Sequence, residues 1–266
     1  MQDFIDYKKA QRYWSNVENE YINQYSLGYK IPEEKIAIYR FKKELSFLNS
    51  RGVFRGNYLD LGCGAGNFLY EWRNRFDNLI GIDFSEIMFR FAKDKCKSFK
   101  NVQIYKDDVI NFQNYTNKVE NFSFIFIGGC LMYLNDADIV SLFQELSKKL
   151  TKEGAIIFRE SIARKNRIFE NSENYTVIRR TVEEYKKLIP FEGDRYVINY
   201  YPNYAYNYAM IISFYWKTFP LVNNKITIFK NSIIEFLFLF IPLKIYTFIK
   251  GNMVLDYFFI IKKKYD

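Results

Sequence analysis

Residues 58–68, YLDLGCGAGNF, place an acidic side chain just ahead of three glycines at alternate positions. A short apolar run ends at Asp60, and Gly62, Gly64 and Gly66 follow before helix-forming residues begin. This order predicts a strand, a tight turn and a helix N-terminus, with which a doubly wound α/β fold holds a nucleotide-like ligand. Glycine suits the turn because its backbone adopts unusual dihedral angles and can approach a ligand closely. The alternative is a glycine-rich turn without a ligand.

Carboxylates also end the next two predicted strands. Asp83 closes the segment LIGIDFS, and Asp107 and Asp108 follow VQIYK. A carboxylate about twenty residues beyond such a turn can accept hydrogen bonds from both hydroxyls of a ribose. One carboxylate alone is weak evidence, but the ordered set is strong evidence for a nucleotide-like ligand.

The composition limits the chemistry that this chain can perform. It has 266 residues, 49% of them apolar, and no histidine. That length fits one large domain, or a core domain with a sizeable cap. The absence of histidine excludes a Ser-His-Asp hydrolase and a histidine-rich metal site. The net charge of +9 favours an anionic partner, although lysines scattered along the whole chain are more typical of a solvated surface.

The cysteines indicate the redox environment. Cys63, Cys96 and Cys130 are odd in number and widely spaced, which resembles neither a disulfide framework nor a zinc site. We therefore expect a reduced, cytoplasmic protein without a metal. The N-terminal residues carry no apolar run behind their basic residues, so no signal peptide is predicted.

Strands and helices alternate in the middle of the chain. We expect strands at 58–63, 79–84, 102–105, 122–127 and 155–160, the last after a turn at Gly154, and helices at 67–75, 86–97 and 137–150. Ser85 is the predicted cap of the second of these helices. Near-continuous apolar strands between helices predict a parallel sheet covered on both faces. Ligands of such sheets lie beyond the carboxyl ends of the strands.

Two helices are predicted ahead of this region, at 4–25 and from Pro32 to just before Gly52. They form a cap whose aromatic residues, Tyr13 among them, are more typical of packing than of ligand contact. After the last of the alternating strands we expect a polar loop at 164–173. A helix opened by a capping box of Thr181 and Glu184 and a strand at 196–201 follow it.

The C-terminal part is strongly apolar. Residues 205–250 are predicted to be helical and residues 256–262 to form a last strand. Glu235, Pro242 and Lys244 interrupt the run at 233–249, so it falls short of a membrane span. Buried cap helices are favoured, and a helix lying on a membrane surface is the alternative.

Over residues 57–161 the chain resembles the class I S-adenosylmethionine (SAM) dependent methyltransferases. The segment DLGCGAG is similar to their D-x-G-x-G-x-G signature, and its glycine spacing favours SAM over a dinucleotide. The resemblance implies a Rossmann-like, doubly wound, mostly parallel sheet with SAM as cofactor. It implies an N-terminal helical cap at 1–52, a SAM-binding core at 53–162, and a substrate region at 163–266 with a helical insertion before the last strand.

The resemblance also implies where SAM would lie against the first strand. Gly62, Cys63 and Gly64 would contact the methionine part of SAM, in a turn that Gly66 completes. Asp60 would support this loop.

The ends of the second and third strands would hold the nucleoside. Asp83 would bind the ribose hydroxyls, and Phe84 would pack on the adenine. Asp108, or less favourably Asp107, would accept from the adenine amino group, with Val109 beside it.

The segment FIFIGGCLMYLND is similar to the family segment that touches SAM after the fourth strand, with Gly128 and Tyr133 as the matching positions. Methyl transfer is an in-line displacement, so the protein mainly orients and desolvates the reactants. A base near the acceptor can help, and the candidates are Glu160, Asp136 and Tyr133. Their alternative roles are an ion pair of Glu160 with a neighbouring arginine, a helix cap at Asp136 and a pocket wall at Tyr133.

These observations favour methyl transfer to oxygen on a sugar, a sugar nucleotide or a phosphorylated group. Arg179 and Arg180 could hold a phosphate or carboxylate, although adjacent arginines are more often surface charges. An RNA methyltransferase ranks second, because no appended basic and aromatic module is evident and IGGC stands where amino-methylating nucleic-acid enzymes carry an Asn-Pro-Pro-Tyr segment. An enzyme of lipid-linked substrates at a membrane surface and a SAM-binding scaffold without catalysis are further alternatives.

Overall fold

The computed structural model describes residues 3–16, 34–117, 119, 121–173, 175–189, 196–203 and 255–263. Three features that the sequence predicts lie outside these ranges: the helix start at Pro32, the C-terminal half of the first predicted helix, and the apolar segment 205–250. Among the described residues, no helix is both long enough and apolar enough to cross a membrane. The division of the chain into cap, core and substrate region stays a prediction.

The described strands form one large sheet and one hairpin. In chain order they are β1 (Asn57–Leu61), β2 (Asn78–Asp83), β3 (Val102–Lys106), β4 (Phe122–Gly128), β5 (Leu150–Ile162), β6 (Ile168–Asn171), β7 (Thr176–Arg179), β8 (Tyr196–Pro202) and β9 (Leu255–Lys263). The seven-stranded sheet has the order β3-β2-β1-β4-β5-β9-β8. Strands β1 to β5 run parallel, and β9 and β8 are added antiparallel. The predicted Rossmann-like, mostly parallel sheet is therefore confirmed.

Helices connect and cover these strands. They are α1 (Tyr7–Ser15), α2 (Glu34–Asn49), α3 (Asn67–Trp72), α4 (Glu86–Cys96), α5 (Gln113–Thr116), α6 (Asp136–Lys149) and α7 (Val182–Leu188). Short 3-10 helices follow β3 at Val109–Asn111 and β4 at Leu131–Tyr133. The predicted caps are confirmed, because the Ser85 hydroxyl accepts from the Met88 amide and Thr181 and Glu184 form a reciprocal capping box.

The side chains of the central strands point alternately to two hydrophobic layers, as a sheet buried on both faces requires. Along β4, Ile125 and Ile127 join one layer, whereas Phe124 and Phe126 join the layer of α2 and α3. All four side chains are at most 1% exposed. Burial of this strand on both faces fixes its carboxyl end, and the site lies at that end.

Three sequence-based expectations about secondary structure are wrong. Helix α1 begins at Tyr7 and ends at Ser15, because Asp6 caps its N-terminus and Asn16 leaves the helical conformation. Strand β5 starts at Leu150 and continues through Gly154, where a turn was predicted. The predicted loop at 164–173 contains β6, which pairs antiparallel with β7.

Candidate active site

The glycine turn after β1 has the backbone that its sequence predicts. Gly62, Gly64 and Gly66 all have positive φ, at 71°, 53° and 71°, a region that side chains rarely adopt. A Cβ atom at Gly62 would lie 3.2 Å from the side chain of Cys130. The amides of Gly62 and Cys63 donate to the Ile82 carbonyl, at 2.8 and 3.1 Å, which ties the turn to β2.

Asp83 stands at the carboxyl end of β2 and lines the cavity beside this turn. Its Oδ2 accepts from the Gly64 amide at 2.8 Å and its Oδ1 accepts from the Ser85 amide at 2.9 Å. Burial raises the pKa of Asp83 to about 6, so the carboxylate is mostly ionised at neutral pH. Each carboxylate oxygen has a second lone pair, and this fixed acceptor fits the two hydroxyls of a ribose.

The structure separates the two candidate carboxylates after β3. Asp108 lines the cavity, and its Oδ1 accepts from the Ile110 amide at 3.2 Å. Asp107 is not among the lining residues, and its oxygens accept from Tyr115 at 2.6 Å and from the Asn111 amide group at 2.8 Å. Asp108 is therefore the carboxylate available to a ligand.

Apolar side chains complete this end of the cavity. Phe84, Met88 and Val109 line it together with the two carboxylates. This end of the cavity thus combines apolar side chains with two carboxylate acceptors, an arrangement that fits an adenine ring and its ribose.

Three residues of the predicted SAM-binding segment lie behind the turn and do not line the cavity. Asp60 is 1% exposed, and burial raises its pKa to about 7. The free thiol of Cys63 packs toward Gly81 of β2. Gly66 opens α3, and a Cβ atom there would lie 3.1 Å from that of Ala92. These residues shape the loop, as predicted for Asp60.

The opposite end of the cavity has an aromatic wall, built by α1, the 3-10 helix after β4 and the hairpin. Ring centroids lie 5.0 Å apart for Tyr13 and Tyr175 and 6.0 Å apart for Trp14 and Tyr133. Tyr7 also lines this end. Tyr13, for which packing was the favoured role, lines the cavity as well as contacting Tyr175. We call this group the aromatic wall: Tyr7, Tyr13, Trp14, Tyr133 and Tyr175.

Among the predicted bases, Tyr133 lies in the aromatic wall. Burial and its neighbour Tyr175 raise the pKa of Tyr133 well above the usual value, so its phenol stays neutral at physiological pH. Gly128, also predicted, lines the cavity at the end of β4.

Glu160 and Asp136 do not line the cavity. Glu160 is fully buried, its Oε1 accepts from the Leu131 amide at 2.7 Å, and desolvation raises its pKa to about 8. Asp136 pairs with Arg167 and Arg180, at 2.6 and 2.7 Å, and these guanidinium groups hold its pKa below the usual value despite partial burial. Asn135, not Asp136, is the N-cap of α6.

The two adjacent arginines differ in role. Arg179 lines the cavity, pairs with Glu170, and donates to the Tyr175 hydroxyl at 3.2 Å. Arg180 is 0% exposed and donates to the carbonyls of Leu131 and Leu134, at 3.1 and 2.7 Å. The expectation of a surface charge is wrong for Arg180, which fixes the 3-10 helix after β4.

Sequence reasoning missed a charged network at the cavity floor. Arg159 and Arg40 both line the cavity and both donate to Glu44, at 2.7 Å each. Asn203 donates to Glu44 and to Asp256, at 2.7 and 2.9 Å. The alternation of side chains along β5 could have pointed to Arg159, since it faces away from Glu160.

Comparisons with known proteins indicate the class of enzyme. Residues 59–154 match the family described as a methyltransferase domain. Malonyl-[acyl-carrier protein] O-methyltransferase 2 of Ilyobacter polytropus is 25% identical over 213 residues, which are 74% of this chain and 76% of that protein. Phosphoethanolamine N-methyltransferase 3 of Arabidopsis thaliana is 31% identical over 107 residues, which are 39% of this chain and 21% of that protein.

A solved structure has a similar fold. It is a SAM-dependent methyltransferase from Leishmania major, 17% identical, with a TM-score of 0.61, and the match covers 96% of this chain and 82% of that one. The sheet and the glycine turn resemble those of class I SAM-dependent methyltransferases, and the matches are to proteins of this kind. The protein is a SAM-dependent methyltransferase, and SAM is its cofactor.

Proposed function

We propose that this enzyme transfers the methyl group of SAM to a small-molecule acceptor, at an oxygen of a sugar, a sugar nucleotide or another phosphorylated compound. The observation that carries this proposal is one cavity with two unlike ends. Asp83 and Asp108 lie at one end, and the aromatic wall with Arg179 lies at the other.

The acceptor end has the properties that a ring with an anionic substituent requires. The wall offers ring faces, on which the apolar face of a sugar can stack, and phenol groups that donate and accept hydrogen bonds. The guanidinium group of Arg179 can hold a phosphate or carboxylate by charge-assisted hydrogen bonds. Its pairing with Tyr175 keeps it at the wall.

The chain's own residues would act mainly by positioning. SAM supplies the methyl group as a sulfonium. Asp83 and Asp108 hold the nucleoside, the neutral phenol of Tyr133 orients the acceptor by a hydrogen bond, and the wall excludes water. This division of roles supports an in-line transfer between the two ends of the cavity.

An amine is the second candidate acceptor, because aromatic side chains that surround a cavity also favour a cation. Tyr13, Trp14, Tyr133 and Tyr175 stand within ring contact of one another. One relative is named for phosphoethanolamine, which carries an ammonium and a phosphate. In that case the wall would hold the amine and Arg179 the phosphate.

Labelled SAM tests the proposal against pools of sugar nucleotides, small phosphates, phosphoethanolamine, RNA and lipid extract. We expect label in the sugar or phosphate pools. Label in RNA alone would contradict the small-molecule acceptor, label in phosphoethanolamine would favour the amine, and label in lipid extract alone would favour a membrane-surface enzyme.

Arg179→Gln then tests the role of the acceptor end. We expect the KM of the acceptor to rise about tenfold or more, because a charge-assisted hydrogen bond contributes roughly 1.5–3 kcal/mol. The affinity for S-adenosylhomocysteine (SAH) should stay as in the wild type. Arg55→Gln is the matched control, because Arg55 pairs with Glu153 on the exposed surface, and it should change neither value. An unchanged KM in Arg179→Gln would remove Arg179 from the acceptor site.

A further inference from the structure

The floor of the cavity contains a buried positive charge that has no role in the proposed methyl transfer. Arg159 is 4% exposed and lines the cavity. Its Nη1 donates to Glu44 Oε2 at 2.7 Å. Its Nη2 faces Gly128 and Gly129 and has no hydrogen-bond partner among the residues that the structure describes. A buried guanidinium with a free donor edge at a cavity is a site for an anion.

We propose that Arg159 binds the carboxylate of the methionine part of SAM. The glycine turn lies beside the end of β4, and the end of β4 lies beside the guanidinium group of Arg159. A Cβ atom at Gly62 would lie 3.9 Å from the Gly128 carbonyl, and one at Gly128 would lie 3.7 Å from Nη2 of Arg159. A methionine part that lies along the glycine turn therefore ends beside this guanidinium group.

The glycines at the end of β4 keep the guanidinium group accessible. A Cβ atom at Gly129 would lie 3.4 Å from Nη2 of Arg159, and its φ of 74° also disfavours a side chain. Two adjacent positions without side chains thus leave a path from the turn to the donor edge. A carboxylate is small enough and of the right charge to occupy it.

Glu44 positions Arg159. Its carboxylate accepts from Arg159, Arg40 and Asn203, and these two guanidinium groups hold the pKa of Glu44 below its usual value against the effect of burial. The donor edge of Arg159 is thereby fixed before the ligand arrives, so little side-chain entropy is lost on binding. Burial raises the pKa of the neighbouring Asp256, which also lines the cavity.

Arg179 does not compete for the same group. It belongs to the hairpin and donates to Tyr175 of the aromatic wall, whereas Arg159 belongs to β5 at the cavity floor. The two cations are thus assigned to the acceptor and to the cofactor, respectively.

Calorimetry with two ligands tests the proposal. SAH carries the carboxylate, and 5′-(3-aminopropyl)thioadenosine is the same molecule without it. In Arg159→Gln we expect the affinity for SAH to fall about tenfold or more, and the affinity for the decarboxylated analogue to stay as in the wild type. Arg179→Gln is the matched control, and it should retain the wild-type preference for SAH.

Arg159→Lys keeps a cation beside Glu44 and serves if the glutamine variant does not fold. It should weaken SAH several-fold and leave the analogue unchanged, because lysine lacks the bidentate donor edge. Equal losses for both ligands, or an unchanged SAH affinity with a raised KM of the acceptor, would overturn the proposal. The binding assay contains no acceptor, so a failure of the proposed acceptor chemistry would not alter its result.

Discussion

Asp83 combines two backbone hydrogen bonds with burial, and these have opposite effects on its proton affinity. The amides of Gly64 and Ser85 favour the ionised form, whereas desolvation disfavours it and wins, so that the pKa rises to about 6. The ionised form is the one that accepts hydrogen bonds from two ribose hydroxyls. Cofactor affinity is therefore coupled to pH through this residue.

SAH binding should weaken as the pH falls through about 6, because protonation of Asp83 removes the acceptor. Calorimetric titrations between pH 5 and pH 8 measure this dependence, which should approach tenfold per pH unit below the pKa. Asp83→Asn should bind SAH weakly at every pH and lose most of this dependence. Asp60, whose pKa is about 7, is still present in that variant, so any pH dependence that remains belongs to Asp60 or to other groups.

The sequence could indicate where these residues lie, because each lies at a strand end that the sequence predicts. The turn, Asp83 and Asp108 each stand at or just after the end of a strand that its apolar residues predict. The choice of Glu160 as a base depended instead on which face of β5 it occupies. Successive residues of a strand point to opposite faces, and Arg159, not Glu160, lines the cavity.

At the scale of elements, α1 closes the acceptor end through contacts distant in sequence. The hydroxyl of Tyr7 donates to Asp138 and accepts from the Asn135 amide group at 2.9 Å. The Ser85 hydroxyl donates to the Trp14 carbonyl at 3.0 Å. The helix thereby spans the two ends of the cavity, from α6 to the start of α4.

Tyr7→Phe should loosen α1 without affecting the sheet, because it removes the hydroxyl that joins α1 to α6. We expect amide hydrogen exchange in α1 to become about tenfold faster and exchange in β1 and β4 to stay unchanged. Tyr115→Phe is the control, since that hydroxyl donates to Asp107 away from α1. Equal exchange of α1 in Tyr7→Phe and the wild type would show that other contacts hold the helix.

The hairpin of β6 and β7 was missed because its strands are short and its outer strand is exposed. β6 has the sequence IFEN, with no residue fully buried, so an alternating pattern is too short to detect.

The end of β7 explains why the two adjacent arginines differ. Arg179 ends β7 toward the cavity, whereas Arg180 turns inward to the 3-10 helix after β4.

At the scale of the whole molecule, the fold buries several carboxylic acids whose charged form it disfavours. Desolvation raises the pKa of Asp83 to about 6, of Asp60 to about 7 and of Glu160 to about 8. The folded state therefore binds more protons than the unfolded chain at mildly acidic pH. The stability that follows is present below the unfolded pKa values and is lost as the pH rises through the folded ones.

The free energy of unfolding should thus decrease between about pH 5 and pH 8, by up to about 1.4 kcal/mol per pH unit for each of these groups. Urea denaturation of the protein without ligand at several pH values measures it. Glu160→Gln retains an oxygen that accepts from the Leu131 amide but cannot ionise, so its stability should decrease less steeply up to pH 8. Glu183→Gln, on the exposed face of α7, should follow the wild type. If Glu160→Gln also followed the wild type, the carboxyl group of Glu160 would not be the source of this slope.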